Sequence, residues 1–289
     1  MLTFVALLTT ACTACACPLP QTAAQASRQA VSATLRALKA GRNRLQLSIF
    51  GDEIGVPGPL PLGSLCAHLV EALAGESRQR VHLFFDSDAA AAAWARSEHA
   101  ARLRDCCCVG ILLSDDAIDD ALEEDGALVL CAPCNTAPCN THISQAKLEA
   151  VQRLTYGAGE RPVILANPDL EALLVRESGC RSVQPMLLSD FEHAFFMAEV
   201  LAKQGSVSAV RHVWGGAWET YHTAEQSLAP LQRGSSALQF SALTHTGGQP
   251  PRAAEDLVRY VRRGRRARSR GTPTVISENA PWSAEDRWS

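Results

Sequence analysis

The stretch Val81-His82-Leu83-Phe84-Phe85-Asp86-Ser87-Asp88, followed by Ala89 through Ala93, decides the fold class. Five residues rich in branched and aromatic side chains read as a buried strand. Asp86-Ser87-Asp88 then supplies the short oxygen-bearing side chains that cap a helix start, and the alanine run after them has high helix propensity. The same grammar recurs along the chain. Leu45–Phe50, Val109–Leu113, Ala127–Ala132 and Val163–Ala166 read as further strands. Helical stripes lie between them: Val31, Leu35 and Leu38 closed by Gly41; Leu65, Leu69 and Leu73 ended by Gly75; and Ile143–Leu154. Alternation of strand and helix predicts a mainly parallel, Rossmann-like α/β sheet with helices on both faces.

Beyond Asn167-Pro168 the character changes. Phe191–Leu201 fits helix or strand equally by periodicity. Val207–Val213, Trp218–His222 and Leu238–Leu243 read as short antiparallel strands, and Arg252–Arg263 as a last amphipathic helix. The organisation expected is a leader over 1–17, one α/β domain over 18–263 and a basic, disordered tail over 264–289. A chain of 289 residues at 47% hydrophobic and 20% charged content can bury a full core without staples.

Charge is unevenly placed. Residues 252–270 carry eight arginines against Glu255 and Asp256, or +6, so a net charge of -3 leaves -9 for the remainder. Such a run can meet RNA or anionic lipid, but Tyr260 is its lone aromatic. Base stacking would use more, and a solvated helix end is the plainer reading. At the other terminus the first 17 residues are uncharged and the first acid is Asp52, after Arg28, Arg36, Lys39, Arg42 and Arg44. An acid-poor, Ala/Thr/Ser-rich, modestly basic start reads as an organelle transit segment. A lipoprotein signal ending at Cys12 is its rival, poorly matched by Leu8-Thr9-Thr10-Ala11-Cys12. The eleven cysteines, often adjacent as in Cys106-Cys107-Cys108, lack the spacing of a disulfide framework and read as reduced, buried small hydrophobes.

Open parallel sheets bind ligands at the C-terminal ends of their strands. Asp52 and Glu53, Asp86, Asp115 and Asp116, and Asn167 with Asp169 all fall there. The candidate ligand-binding set is Asp52, Glu53, Asp86, Asn167 and Asp169, an acidic crevice able to hold a cation or serve as acid and base. Each member also fits the role of a helix or turn cap. Cys131, Cys134, Cys139 and His142 form C-x2-C-x4-C-x2-H, four ligands of the type zinc takes. Their intervals match no established finger, so no metal is assigned. Neither G-x-x-x-x-G-K-[ST] nor G-x-G-x-x-G appears, and neither G-x-S-x-G nor H-E-x-x-H, so no cofactor is implied.

Several segments together carry a resemblance: Phe84-Phe85-Asp86, Val163 through Leu170, Phe191-Glu192-His193-Ala194-Phe195, Val207 through Trp218, and Pro250-Pro251. In order and spacing the chain resembles, over about residues 18–263, a domain-of-unknown-function family of plants, algae and cyanobacteria-derived lineages. That family includes the low-photosystem-II-accumulation assembly factor and a domain fused to chloroplast adenylate kinase. The resemblance implies a plastid location, stromal or thylakoid-associated, and a non-catalytic assembly factor for photosystem II complexes. Its implied partners are thylakoid membrane-protein complexes or assembly factors, not DNA, and it implies no catalytic residues. The cysteine-rich loop after Cys131 and the arginine tail depart from it. The alternative is an enzyme or small-ligand binder using the acidic crevice.

Overall fold

The computed structural model describes residues 19–20, 23–50, 62–77, 79–135, 141–170, 172–176, 179–183, 185–201, 207–223 and 240–247. In chain order the elements are α1 (Ala23–Lys39), β1 (Arg44–Phe50), α2 (Leu62–Ser77), β2 (Val81–Phe85), α3 (Asp88–Ala95) and α4 (Glu98–Leu103). Then come β3 (Cys107–Ile111), α5 (Asp115–Glu123), β4 (Ala127–Cys131), α6 (Thr141–Gly157), β5 (Val163–Ala166) and the hairpin β6 (Ala172–Arg176) and β7 (Gly179–Val183). A 3-10 turn (Met186–Asp190) leads into β8 (Glu192–Leu201), β9 (Val207–Val213), β10 (Trp218–Thr223) and β11 (Phe240–Gly247).

Nine of these strands form a sheet in the order β11-β10-β9-β8-β1-β5-β4-β2-β3. From β8 to β3 all neighbours are parallel. From β8 to β11 they are antiparallel. The expected parallel α/β body with an antiparallel C-terminal part is therefore one continuous sheet. Phe191–Leu201, open between helix and strand in the sequence, is a strand because it has a hydrogen-bonded partner on both sides.

Strand alternation sorts side chains into two cores. Val81, Leu83 and Phe85, with Val129, Cys131, Ile164 and Ala166, join the apolar faces of α1 to α4. Phe84, Leu128, Leu130, Val163 and Leu165 join α5, α6 and the 3-10 turn. Helices thus cover both faces, and strands buried on both sides read as unbroken apolar runs. Ser87 caps α3 as expected, its Oγ accepting from the N–H of Ala90, and the Oγ of Ser114 accepts likewise from the N–H of Ala117 at the start of α5.

The structure departs from the sequence reading at several points, among them the last strand, which spans Phe240–Gly247 against an expected Leu238–Leu243. Gly75 lies inside α2, which runs on to Ser77. The third strand starts at Cys107 and ends at Ile111, because Val81 pairs with Cys107 and Leu112 turns into the second core. A break at Ser97, which caps α4, divides the alanine-rich helix in two. The β6–β7 hairpin is an addition to the elements that the periodicity marks. The leader, the helix expected over Arg252–Arg263 and the tail lie outside the described residues.

The N-terminal edge of the parallel half is closed by two arginines. Arg44 donates to the carbonyls of Thr155, Gly159 and Arg161. Arg161 donates to those of Ala121, Leu122 and Glu124. Each guanidinium satisfies carbonyls that the end of α6 or α5 leaves without a helical donor. Between them Gly126 (φ 144°) enters β4 so close to the neighbouring chain that a Cβ would stand 2.2 Å from the Arg80 carbonyl oxygen.

Gly126→Ala should therefore destabilise the fold by roughly 2–4 kcal/mol, through a backbone clash and a strained φ. Gly75→Ala, in open space inside a helix, should stabilise it by about 0.5–1 kcal/mol. Urea unfolding of the two variants beside the parent chain measures both signs.

Candidate functional site

The connection leaving β1 leads to α2 in the first core, and the connection leaving β5 leads to the 3-10 turn in the second. Neighbouring parallel strands whose connections depart on opposite faces open a crevice at their C-terminal ends. Two turns with the same geometry stand there side by side. β4 runs into Ala132-Pro133-Cys134 and β5 into Asn167-Pro168-Asp169, and both Ala132 (φ 48°) and Asn167 (φ 50°) are left-handed. After these kinks the two chains stay together. Ala132 N–H donates to Ala166 O (2.7 Å), Asp169 N–H to Pro133 O (2.9 Å) and Asn135 N–H to Asp169 O (3.3 Å).

Left-handed backbone suits Asn but costs an alanine about 1–2 kcal/mol. At Asn167 the side chain gives a local reason. Its Oδ1 accepts from Ile49 N–H at 2.6 Å, while its own N–H donates to Leu47 O at 2.7 Å. One residue therefore extends the β1–β5 ladder past the kink and ties the two strand ends together. At Ala132 no side-chain bond offsets the strain.

The other polar candidates are also engaged. Asp86 pairs with Lys147 of α6 at 3.1 Å, both side chains largely shielded from solvent. Asp169 is buried, with the Cys134 thiol 3.9 Å from its Oδ2. Asp115 pairs with Arg153 of α6 at 2.8 Å on the surface. The structure thus brings Asn167, Asp169 and Cys134 to one corner, and it gives each of Asp86, Asn167 and Asp169 a bonding role. Asp52 and Glu53 lie outside the described residues. Of the cysteine–histidine set, Cys131 points into the first core, its Sγ 3.1 Å from that of Cys66 in α2. Burial raises the Cys131 thiol pKa well above its ordinary value, and contact with Cys66 raises it further. Cys134 faces Asp169 on the other side of the kink, Cys139 lies outside the described residues, and nothing is described of the His142 side chain.

A second polar concentration lies in the antiparallel half. On one face the Trp218 ring stacks on His212 (4.6 Å) and meets Phe196 (5.1 Å) and His193 (5.8 Å). The Nδ1 of His193 is buried without a hydrogen-bond partner among the described residues. Burial, with His212 beside it, lowers the His193 pKa to about 4. On the opposite face the buried Arg211 donates to Glu219 (2.7 Å) and to the Tyr221 hydroxyl (2.9 Å), which itself donates to Glu219 (2.8 Å). Burial and that bond to Glu219 push the Tyr221 pKa up to about 12. The available signal was the polar pair Arg211-His212 between Val210 and Val213, since adjacent residues of a strand face opposite sides.

The family model described as "Domain of unknown function (DUF1995)" matches residues 20–239, from the start of the described body to the residue before β11. The chain belongs to that family. No curated protein matches it.

Two predictions follow from the geometry. Ala132→Gly should leave the fold as stable or stabilise it by about 1 kcal/mol, because glycine takes positive φ freely. Asn167→Ala should destabilise by about 1–3 kcal/mol, losing the bond to Ile49 and gaining strain; equal losses in both variants would refute this account of the turns. Separately, the folded-state pKa of His193 lies below that of an unfolded histidine near 6.5, so the unfolded chain takes up the proton first. Stability from this site should be intact above pH ~6.5 and fall by roughly 3 kcal/mol as pH drops to about 4. Denaturation series at several pH values should show a shallower acid loss in His193→Gln; an unchanged slope would contradict the assignment.

Proposed function

We propose that this chain is a plastid auxiliary protein that acts by docking on photosynthetic membrane complexes, photosystem II among them, and not by turnover. Membership of the DUF1995 family is consistent with that role, and the segments from Phe84 to Trp218 that resemble an assembly-factor lineage support it. The observation that carries the reading is the state of the strand ends. The Asp86 carboxylate is paired with Lys147, the Asn167 amide oxygen accepts from Ile49 N–H, and the Asp169 carboxylate is buried against the Cys134 thiol. A crevice that turns over a substrate needs polar groups held ready for a ligand, not engaged in the fold.

One observation favours the second reading, a small-ligand binder at the crevice. Ala132 is strained at the very corner where Cys134 and Asp169 meet, and backbone strain concentrates at ligand sites.

Deleting the gene should lower photosystem II accumulation, with recovery on re-expression of the full chain. The purified chain should show no melting shift against nucleotides, sugar phosphates, divalent cations other than those of the zinc class, and pigments. Normal accumulation in the deletion strain, with a shift of several degrees for one compound that Ala132→Val abolishes, would replace this reading with the second.

A further inference from the structure

At the opposite, N-terminal edge of the parallel half three side chains of unlike chemistry converge. His82 of β2 and Cys108 of β3 are direct partners across parallel strands, so imidazole and thiol rise side by side from one face. Glu124, the residue that closes α5, reaches over them. One ligand atom from each of the three lies within 4.8 Å of the other two. Glu124 Oε2 is 3.6 Å from His82 Nε2 and 3.9 Å from Cys108 Sγ.

These separations are too long for good hydrogen bonds. They are close to the ~3.3–3.8 Å that separates ligand atoms around one tetrahedral ion with bonds of about 2.0–2.3 Å. His82 is nearly inaccessible, with a side-chain exposure of 5%, and its Nε2 is buried with no hydrogen-bond partner among the described residues. A buried imidazole nitrogen left in that condition is costly unless something bonds it.

The surroundings hold this arrangement rather than merely permit it. A backbone hydrogen bond to Asp125 orients the His82 ring, the kind of support that fixes a metal-ligating histidine. Arg161 grips the carbonyls of Ala121, Leu122 and Glu124, fixing the segment that carries the carboxylate. Gly126, where no side chain fits, brings the start of β4 against Arg80 and the His82 ring. Arg80 and Arg161 are the cations nearby, and Arg161 is already engaged by those carbonyls.

We propose that His82, Cys108 and Glu124 form a binding site for a divalent cation of the zinc class. Thiolate and imidazole select such an ion over magnesium or calcium, which prefer all-oxygen sites. Three protein ligands leave a fourth position of a tetrahedral ion for water or a partner's side chain, the arrangement of open zinc sites. Binding deprotonates the Cys108 thiol, and the released proton goes to solvent. This site shares no residue with the Cys131–His142 set and lies at the opposite end of the strands from Cys131, and it stands whether or not the docking reading does.

Cobalt(II) added to the reduced, full-length chain tests it. The expected result is one ion per chain, with a thiolate-to-cobalt charge-transfer band, tetrahedral d–d bands, and displacement by zinc. Cys108→Ser should abolish the charge-transfer band, and Glu124→Gln, a change at a half-exposed side chain that leaves the fold intact, should weaken binding at least 10-fold. Cys134→Ser should change neither. Absence of the bands in the parent chain, or their persistence in Cys108→Ser, would overturn the proposal, as would unaltered affinity in Glu124→Gln.

Discussion

The clasp between Asn167 and Ile49 holds together two strand ends whose connections part to opposite faces of the sheet. β1 must part from β5 where their connections diverge to opposite faces, yet both strands are buried and cannot leave backbone groups unpaired. A left-handed residue turns the chain at that point, and its amide side chain completes the ladder that the turn interrupts. The neighbouring kink at Ala132 lets β4 follow, so Cys134 and Asp169 come to lie alongside as a short parallel bridge. Proline after each kink removes an N–H that the turned chain could not place in the ladder.

The strands were legible wherever burial on both faces wrote an apolar run between polar caps. β2 and β5 have the bounds their sequence suggests, and β9 does as well. Legibility failed where a partner, not the local pattern, sets the boundary. β3 begins two residues early because its cysteines pair with Val81 and His82. Gly75 does not end α2, since one glycine lowers helix propensity without forbidding the helix. Residues 191–201 were ambiguous because only pairing on both sides makes them a strand. At the candidate site, positions were readable and partnerships were not. Asp86 and Asn167 could be placed at strand ends from spacing, but Lys147 and Ile49 lie 61 and 118 residues away in the chain.

The three residues at the N-terminal edge show the same limit. His82 sits inside an apolar run, Cys108 inside a cysteine triplet, and Glu124 among the acids that close α5. Each has an ordinary explanation in its own segment, and only the β2–β3 register brings them together. The two ends of the parallel half therefore differ in kind. One carries backbone strain and shielded polar contacts; the other carries helix carbonyls held by arginine beside an imidazole nitrogen that no described residue bonds.

Strand order also sets a schedule for synthesis. β1 is made early, but both its neighbours, β5 and β8, come more than a hundred residues later. At about 5–20 residues per second on the ribosome, its two open hydrogen-bonding edges wait for several seconds to some tens of seconds before either can be paired. The antiparallel strands from β8 to β10 face no such interval, since each follows its partner almost at once. The nascent amino-terminal half is thus the part of this chain that calls for a holding chaperone, and truncation before β5 would leave β1 permanently without its sheet.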